Sequence, residues 1–399
     1  MSTTVHHKVV IVGGGSAGIS VAARLNKKAG DVAVIDPSEK HYYQPLWTLV
    51  GAGVVKRGIT ERNEASVIPK GVTWIKDAAT SFDPDNNSLE TAGGKTIGYD
   101  ILIVCPGIQL DWGKIPGVND TLGENGVSSN YTYDLAPKTW EFIQQTKSGS
   151  AVFTMPSGPI KCAGAPQKIA YLACDFWREQ GVLNNIDVHL VLPTPRTFGV
   201  TVFADALDKV VSDYGINLHL KSELESVDPD GKKATFKSMD EGGDGFELDY
   251  DMMHVVPHQS APDWIKSSPL SADTPTGYVD VDKHTHQHVR YPNIFSLGDA
   301  GSTPNSKTGA AIRKQAPVVA ANVLAQLAGQ SLPKEYQGYA SCPLTTSRSA
   351  MLLAEFDYTM EPTPSIPFIN LQKPRKDMWH LKKTGLPFFY WNGMLKGKA

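Results

Sequence analysis

The sequence predicts an α/β fold in which two strand–loop–helix units stand in tandem, closed by a C-terminal cap. Three observations carry this. Lys8–Val12 is a continuous apolar run of the kind a fully buried parallel strand shows, and it leads through Gly13-Gly14-Gly15-Ser16-Ala17-Gly18 into an Ala-rich helical segment, Ile19–Asn26. A second β-branched and aromatic run, Ala151–Thr154, precedes a loop and a helical pattern from Gln167 to about Arg178. A third apolar run, Ile101–Val104, ends in the turn Cys105-Pro106-Gly107.

The bulk numbers fit two or three domains of a globular protein. The chain has 399 residues, 41% hydrophobic and 20% charged, and a net charge of −3 that argues against a nucleic-acid partner. Four cysteines, Cys105, Cys162, Cys174 and Cys342, are too few for a disulfide scaffold and lack metal-ligand spacing, so no metal site is expected. No signal peptide precedes the first strand and no run reaches the roughly 18 apolar residues of a spanning helix, so a soluble or peripheral protein is expected. Residues 373 to 399 carry seven Lys/Arg against one acid, a local charge of +6 on a body of −9. Such a tail suits an anionic surface, and an ordinary solvated basic end is the other reading.

In the first unit each fingerprint glycine has a task. Gly13 permits the tight turn, Gly15 lets phosphate oxygens approach, Gly18 lets helix pack on strand, and the helix start at Ser16 and Ala17 offers N–H groups to an anion. The next strand, Val32–Ile35, ends in Asp36, 18 residues after Gly18, where such a unit holds ribose hydroxyls. This predicts dinucleotide binding. The segment Tyr291–Ala300, with Gly298 and Asp299, resembles the second FAD signature of the two-dinucleotide-binding flavoproteins, whose Asp bonds a ribityl hydroxyl. Lys307-Thr308-Gly309 then opens a helical run, Ala310–Leu327, whose N-terminus would face the flavin pyrimidine edge. Gly107 sits in a turn that resembles the one returning the chain to the cofactor in that superfamily, although Cys105-Pro106 departs from its usual residues. The expected architecture is thus a tandem Rossmann-like flavoprotein with a membrane-interacting cap. A split FAD domain covers residues 1–147 plus 282–330, a second Rossmann-like domain 148–281, and the cap 331–399. Val188–Leu192, Asn217–Leu220 and Ala234–Lys237 are expected strands of the second domain, and Gly231 and Gly242–Gly245 mark hairpin turns.

The second loop lacks the G-x-G-x-x-G of a nicotinamide site and instead holds Cys162 between Lys161 and a helix start, a setting that favours thiolate. It reads as a reactive sulfur, or else as a small buried residue in a tight loop. Cys174 shares a helical face with Ala170, Ala173 and Trp177 and is assigned to packing, as is Cys105 at the end of its strand. Cys342, beside Pro343, falls in what reads as a loop, where a cysteine is more often incidental than catalytic.

Taken together, Gly13–Gly18, His41–Gly53 with its Gln44, Ile160–Lys168, Asn293–Asp299, Ser306–Thr308, Ser341–Leu344 and Ala354–Tyr358 resemble sulfide:quinone oxidoreductases of the type II, mitochondrial-like group. The resemblance implies that Cys162 and Cys342 are a redox-active pair. It implies that hydrogen sulfide attacks the oxidised pair, that Cys342 keeps the sulfane sulfur, and that Cys162 passes two electrons to FAD. A thiol, sulfite or sulfide would then accept the sulfur and a quinone of the ubiquinone or menaquinone type the electrons. The third cysteine of type I relatives is missing, so the chemistry must run on two sulfurs. Residues 378–383 and 386–391 interleave aromatics with bases as interfacial elements do, with Phe388, Phe389 and Trp391 as candidate quinone contacts. A packed C-terminus with a solvated rim is the competing reading. The expected location is peripheral on a prokaryotic cell membrane, or on the mitochondrial inner membrane after presequence removal, and a homodimer is admissible. Two other functions remain in view: a type II NADH:quinone oxidoreductase-like enzyme, and a non-catalytic redox-responsive flavoprotein binding module.

Overall fold

Val9, Val10 and Ile11 have no exposed surface, because strands lie on both sides of them and apolar layers cover both faces. The computed structural model describes residues 4–162, 164–366, 368–370 and 372–398. Among these, Thr4–Val12 pairs in parallel with Val32–Ile35 and Thr96–Val104, inside a sheet of seven strands. Thr73–Ile75 forms one edge, and Ser88–Thr91 and Ala79–Asp83 extend the sheet on the other side as antiparallel strands. Ile294–Ser296 rejoins this sheet on Thr96–Val104, bringing the Gly298-Asp299 turn back over the Gly13–Gly18 loop. The turn there is tight: Gly298 has φ +70°, and a Cβ on it would stand 3.1 Å from Ala17.

A second, wholly parallel sheet runs in the order Val127–Ser128, Met252–His254, Gly149–Thr154, Ile186–Val191, Asn217–His219. The helix Ala165–Glu179 packs on it through Ala170, Ala173, Cys174 and Trp177, all fully buried. An antiparallel meander, Ser222–Asp228, Lys233–Ser238 and Phe246–Asp249, turns at Gly231 and at Gly242–Gly245.

The structure shifts two expected boundaries. The second sheet already draws on Val127, before residue 148, and Ala261, Ile265, Leu270, Tyr278, Val279 and Val281 pack under the first sheet, before residue 282. Strands of two or three residues are too short for an alternation pattern to assign them to a sheet.

The cap begins with a hairpin, Ala340–Thr345 against Met351–Phe356, so Cys342 lies in a strand and not in a loop. Pro343 is tolerated because each strand of a two-stranded ribbon keeps one unpaired edge. The helix Lys376–His380 continues through one widened turn, Leu381–Gly385, into the helix Leu386–Asn392. One apolar cluster runs from Val9 through Phe153 and Cys342 to Leu395, so both sheets and the cap share a core. Among the described residues no helix is long and apolar enough to cross a membrane.

Candidate active site

Cys162 occupies the last turn before the Ala165–Glu179 helix with φ +49°, a strained setting for a side-chain-bearing residue. The turn is pinned on three sides. The Cys162 N–H donates to Lys307 O at 3.0 Å, its carbonyl accepts from Ala165 N at 2.8 Å, and the Tyr131 hydroxyl donates to Lys161 O at 3.0 Å. The cap hairpin carries Cys342 to the same place, with the two sulfurs 3.6 Å apart across 180 residues of chain. Gly164 makes this approach possible, since a Cβ there would stand 2.6 Å from Cys342 Sγ and 2.5 Å from Leu344 Cδ2.

Lys168, one helical turn into Ala165–Glu179 and 3% exposed, puts its Nζ 2.8 Å from Cys162 Sγ. The charge therefore rests on Cys162. A hydrogen bond from the Cys342 thiol, followed by the positive charge of Lys168 and Lys382, holds Cys162 well below the usual thiol range against the cost of burial. The same bond and burial push Cys342 up, so it stays a thiol and donates. Lys168 is held above the ordinary lysine value because the sulfurs' charge outweighs its burial. Lys382 goes the other way, to about 7, through burial and then the repulsion of Lys168. Cys105 and Cys174 are buried, and burial raises both thiols, which suits structural roles.

A cavity of about 620 Å³ opens beside Cys162. Of the residues expected to hold the cofactor, Gly15, Ser16, Ala17, Gln44, Gly107, Asp299, Lys307 and Thr308 line it. Gly13, Gly18, Asp36 and Gly298 form the supporting turns behind. Gly13 has φ +105° against the Cys105 carbonyl, a Cβ on Gly18 would meet Gly13 O at 1.9 Å, Asp36 accepts from Gly14 N at 2.5 Å, and Gly298 N–H donates to Gln315 at 2.9 Å. Phe388 and Phe389 line the cavity too, 69% and 41% exposed. Trp391, the third residue expected to meet the quinone, is not among the lining residues. It is buried against His41 and Tyr43, with the Arg62 guanidinium 4.6 Å over its ring.

The lining fits a flavin dinucleotide. The Ser16–Ala29 helix points an uncapped N-terminus without first-turn acids into the cavity, the Gly309–Leu327 helix starts on it too, and a Cβ on Gly15 would meet nothing within 4 Å. Trp47 Nε1 and both polar side-chain atoms of Asn130 are buried on its wall without partners among the described residues, as a polar ligand would leave them. The volume lies within the roughly 300–1,000 Å³ of small-molecule sites.

Lys168 and Lys382 belong to the site although the sequence did not single them out. The signal for Lys168 was its place in the first turn after the Cys162 loop. Lys382 was counted with the surface charge of the tail, yet it is 2% exposed and donates to Pro45 O at 2.8 Å.

The tandem sheets, the glycine loop and the thiol pair define a flavin-linked α/β oxidoreductase, and residues 7–316 match the family model described as pyridine nucleotide-disulphide oxidoreductase. The chain is 45% identical to the mitochondrial sulfide:quinone oxidoreductase of Dictyostelium discoideum, with 98% of this chain and 86% of that one covered. It is 42% identical to the Mus musculus enzyme of that name, over 98% and 87%. The chain belongs to the sulfide:quinone oxidoreductase family, and its cofactor is FAD. The solved sulfide:quinone oxidoreductase of Aquifex aeolicus has the same fold, with a TM-score of 0.83 at 20% identity over 99% of this chain and 92% of that one.

Proposed function

We propose that this enzyme oxidises hydrogen sulfide at Cys162 and Cys342, hands the sulfane sulfur to a small acceptor, and delivers two electrons through FAD to a membrane quinone. The observation that carries the reading is the 3.6 Å thiol pair, whose Cys162 stands with Lys168, 2.8 Å away, on the wall of a cavity fitted to a dinucleotide. Family membership at 45% and 42% identity supports sulfide as donor and quinone as acceptor.

The asymmetry of the pair gives the direction of the first step. A separation of 3.6 Å exceeds the ~2.05 Å of a disulfide and falls below the ~4.1 Å that two such bonds could span in line, so the pair can close directly or around one sulfur atom. In the directly closed pair, hydrosulfide attacks Cys342 Sγ. A bond forms between the incoming sulfur and Cys342, the bond to Cys162 breaks, and Cys162 leaves as thiolate. The sulfur with the lower pKa leaves faster, and Lys168 makes that sulfur Cys162. An acceptor thiolate then attacks the outer sulfur of the Cys342 persulfide and departs as its own persulfide. Loss of two electrons recloses the pair, and the quinone takes them with two protons. FAD supplies the two-electron acceptor between the thiols and the quinone. Lys161, lowered to about 8 by burial, and Lys307, also about 8, keep positive charge along the cavity beside Asp299. The exposed Phe388 and Phe389, together with the exposed Lys376, Lys383 and Lys396 of the same segment, support peripheral attachment to a lipid surface.

The test is anaerobic, sulfide-dependent quinone reduction by holoenzyme. Cys162→Ser and Cys342→Ser should each bring turnover to background with FAD retained. Full turnover in either variant ends the proposal, and flavin bleached by NADH but inert to sulfide would favour the nicotinamide-dependent alternative.

A further inference from the structure

The cap makes one polar contact with the glycine loop that the sulfide chemistry does not use. The Tyr390 hydroxyl, on the helix Leu386–Asn392, lies 2.7 Å from Ser16 Oγ and 2.5 Å from His41 Nε2. The other nitrogen of His41 stands 3.1 Å from Gly14 O and 3.2 Å from Glu64 Oε2. Tyr390, His41 and Glu64 are 3%, 2% and 2% exposed, so these three side chains are buried, while Ser16 is half-buried on the cavity wall. Glu64 Oε1 has no partner among the described residues, and a Cβ on Gly14 would stand 2.8 Å from it, beside Asp36. One phenol from the cap thus reaches both flanks of the loop, Ser16 directly and Gly14 through His41, where pyrophosphate and ribose are expected. The same short helix turns Phe388 and Phe389 outward, 69% and 41% exposed, while Tyr390 and Trp391 face in.

We infer that Tyr390 is a positioning residue for FAD, and that through it cofactor retention and docking of the C-terminal helix on lipid strengthen one another. The inference rests on the proposed membrane contact of Phe388 and Phe389 and on FAD in the Gly13–Gly18 loop. With the hydroxyl in place, Ser16 and His41 are held toward the dinucleotide, and a bound dinucleotide holds the loop that Tyr390 needs. Coupling of this kind is reciprocal, so whatever seats the helix must also slow loss of FAD.

The experiment follows the rise in flavin fluorescence as FAD leaves diluted holoenzyme. Tyr390→Phe keeps the ring, 4.4 Å from that of Tyr43, and removes only the hydroxyl. It should release FAD about tenfold faster, the usual scale for stranding buried hydrogen-bond partners. A wild-type rate in Tyr390→Phe overturns the assignment of Tyr390. Vesicles containing anionic phospholipid should slow release from wild type and leave Tyr390→Phe unchanged, and equal slowing in both would overturn the coupling. Vesicles that fail to bind wild type would sink the membrane reading alone, because the solution rate of Tyr390→Phe still judges the contact with FAD.

Discussion

Two thiols 3.6 Å apart share one negative charge in this protein, and the hydrogen bond from Cys342 together with the ammonium 2.8 Å from Cys162 places it on Cys162. Because the Cys162 value is depressed, thiolate persists as pH falls below the ordinary thiol range and is lost only near the depressed value. Removing Lys168 must move that loss to higher pH. Lys168→Met should therefore raise the pH midpoint for alkylation of the reduced pair and slow alkylation at pH values between the old and the new midpoint. An unmoved midpoint would assign the charge to Cys342's hydrogen bond alone. Gly164 controls distance where Lys168 controls charge. A methyl at Gly164 would stand 2.6 Å from Cys342 Sγ, so Gly164→Ala has to push the hairpin back. Displacing a reacting atom by about 1 Å costs on the order of a hundredfold in rate, and that loss is expected in sulfide turnover with both thiols still titratable. Turnover within twofold of wild type would mean the hairpin yields freely.

At the scale of elements, the Gly309–Leu327 helix shows how a local rule places a functional end. Thr308 is its N-cap, its side-chain oxygen accepting from Ala311 N at 3.2 Å, while the same residue lines the cavity. Thr308→Ala should cost about 1 kcal/mol, read as a lower urea midpoint, and Thr308→Ser should recover most of it. Equal midpoints for the two variants would show that FAD or the core alone sets this helix start. That start was legible in the sequence because capping is written in neighbouring residues, and so were Lys8–Val12 and Val32–Ile35, since a strand buried on both faces reads as unbroken apolar residues. Other features were written between distant segments. Cys342 next to Pro343 looked like loop because nothing local announces the two-stranded ribbon that accepts a proline. Lys382 looked like surface charge because the thiolate and the Pro45 carbonyl that receive it lie some 220 and 337 residues away. The pairing of Cys162 with Cys342 came from resemblance, and no spacing rule reaches across 180 residues.

For the whole molecule, the open question is how a chain without a spanning helix among its described residues meets a quinone dissolved in lipid. The charge of the tail is a poor guide, because Lys382 belongs to the site and Arg375 is paired with Asp377 at 2.6 Å. What remains outward is Phe388 and Phe389, which line the cavity, with Lys373, Lys376, Lys383, Lys396 and Lys398 exposed in the same C-terminal segment. Full burial of a Phe side chain is worth roughly 1.5–3 kcal/mol, so two of them already part-shielded should together contribute on the order of a hundredfold in partition. The lysines add attraction that salt screens. Phe388→Ser/Phe389→Ser should therefore bind anionic vesicles about a hundredfold more weakly than wild type in a sedimentation assay, with raised salt weakening what is left. Deleting residues 373 to 399 cannot replace this variant, since it would also strip Lys382 from the sulfurs and Tyr390 from Ser16. Undiminished binding by the double variant would move the lipid contact off the helix Leu386–Asn392, and the cavity would then have to receive its quinone from another side.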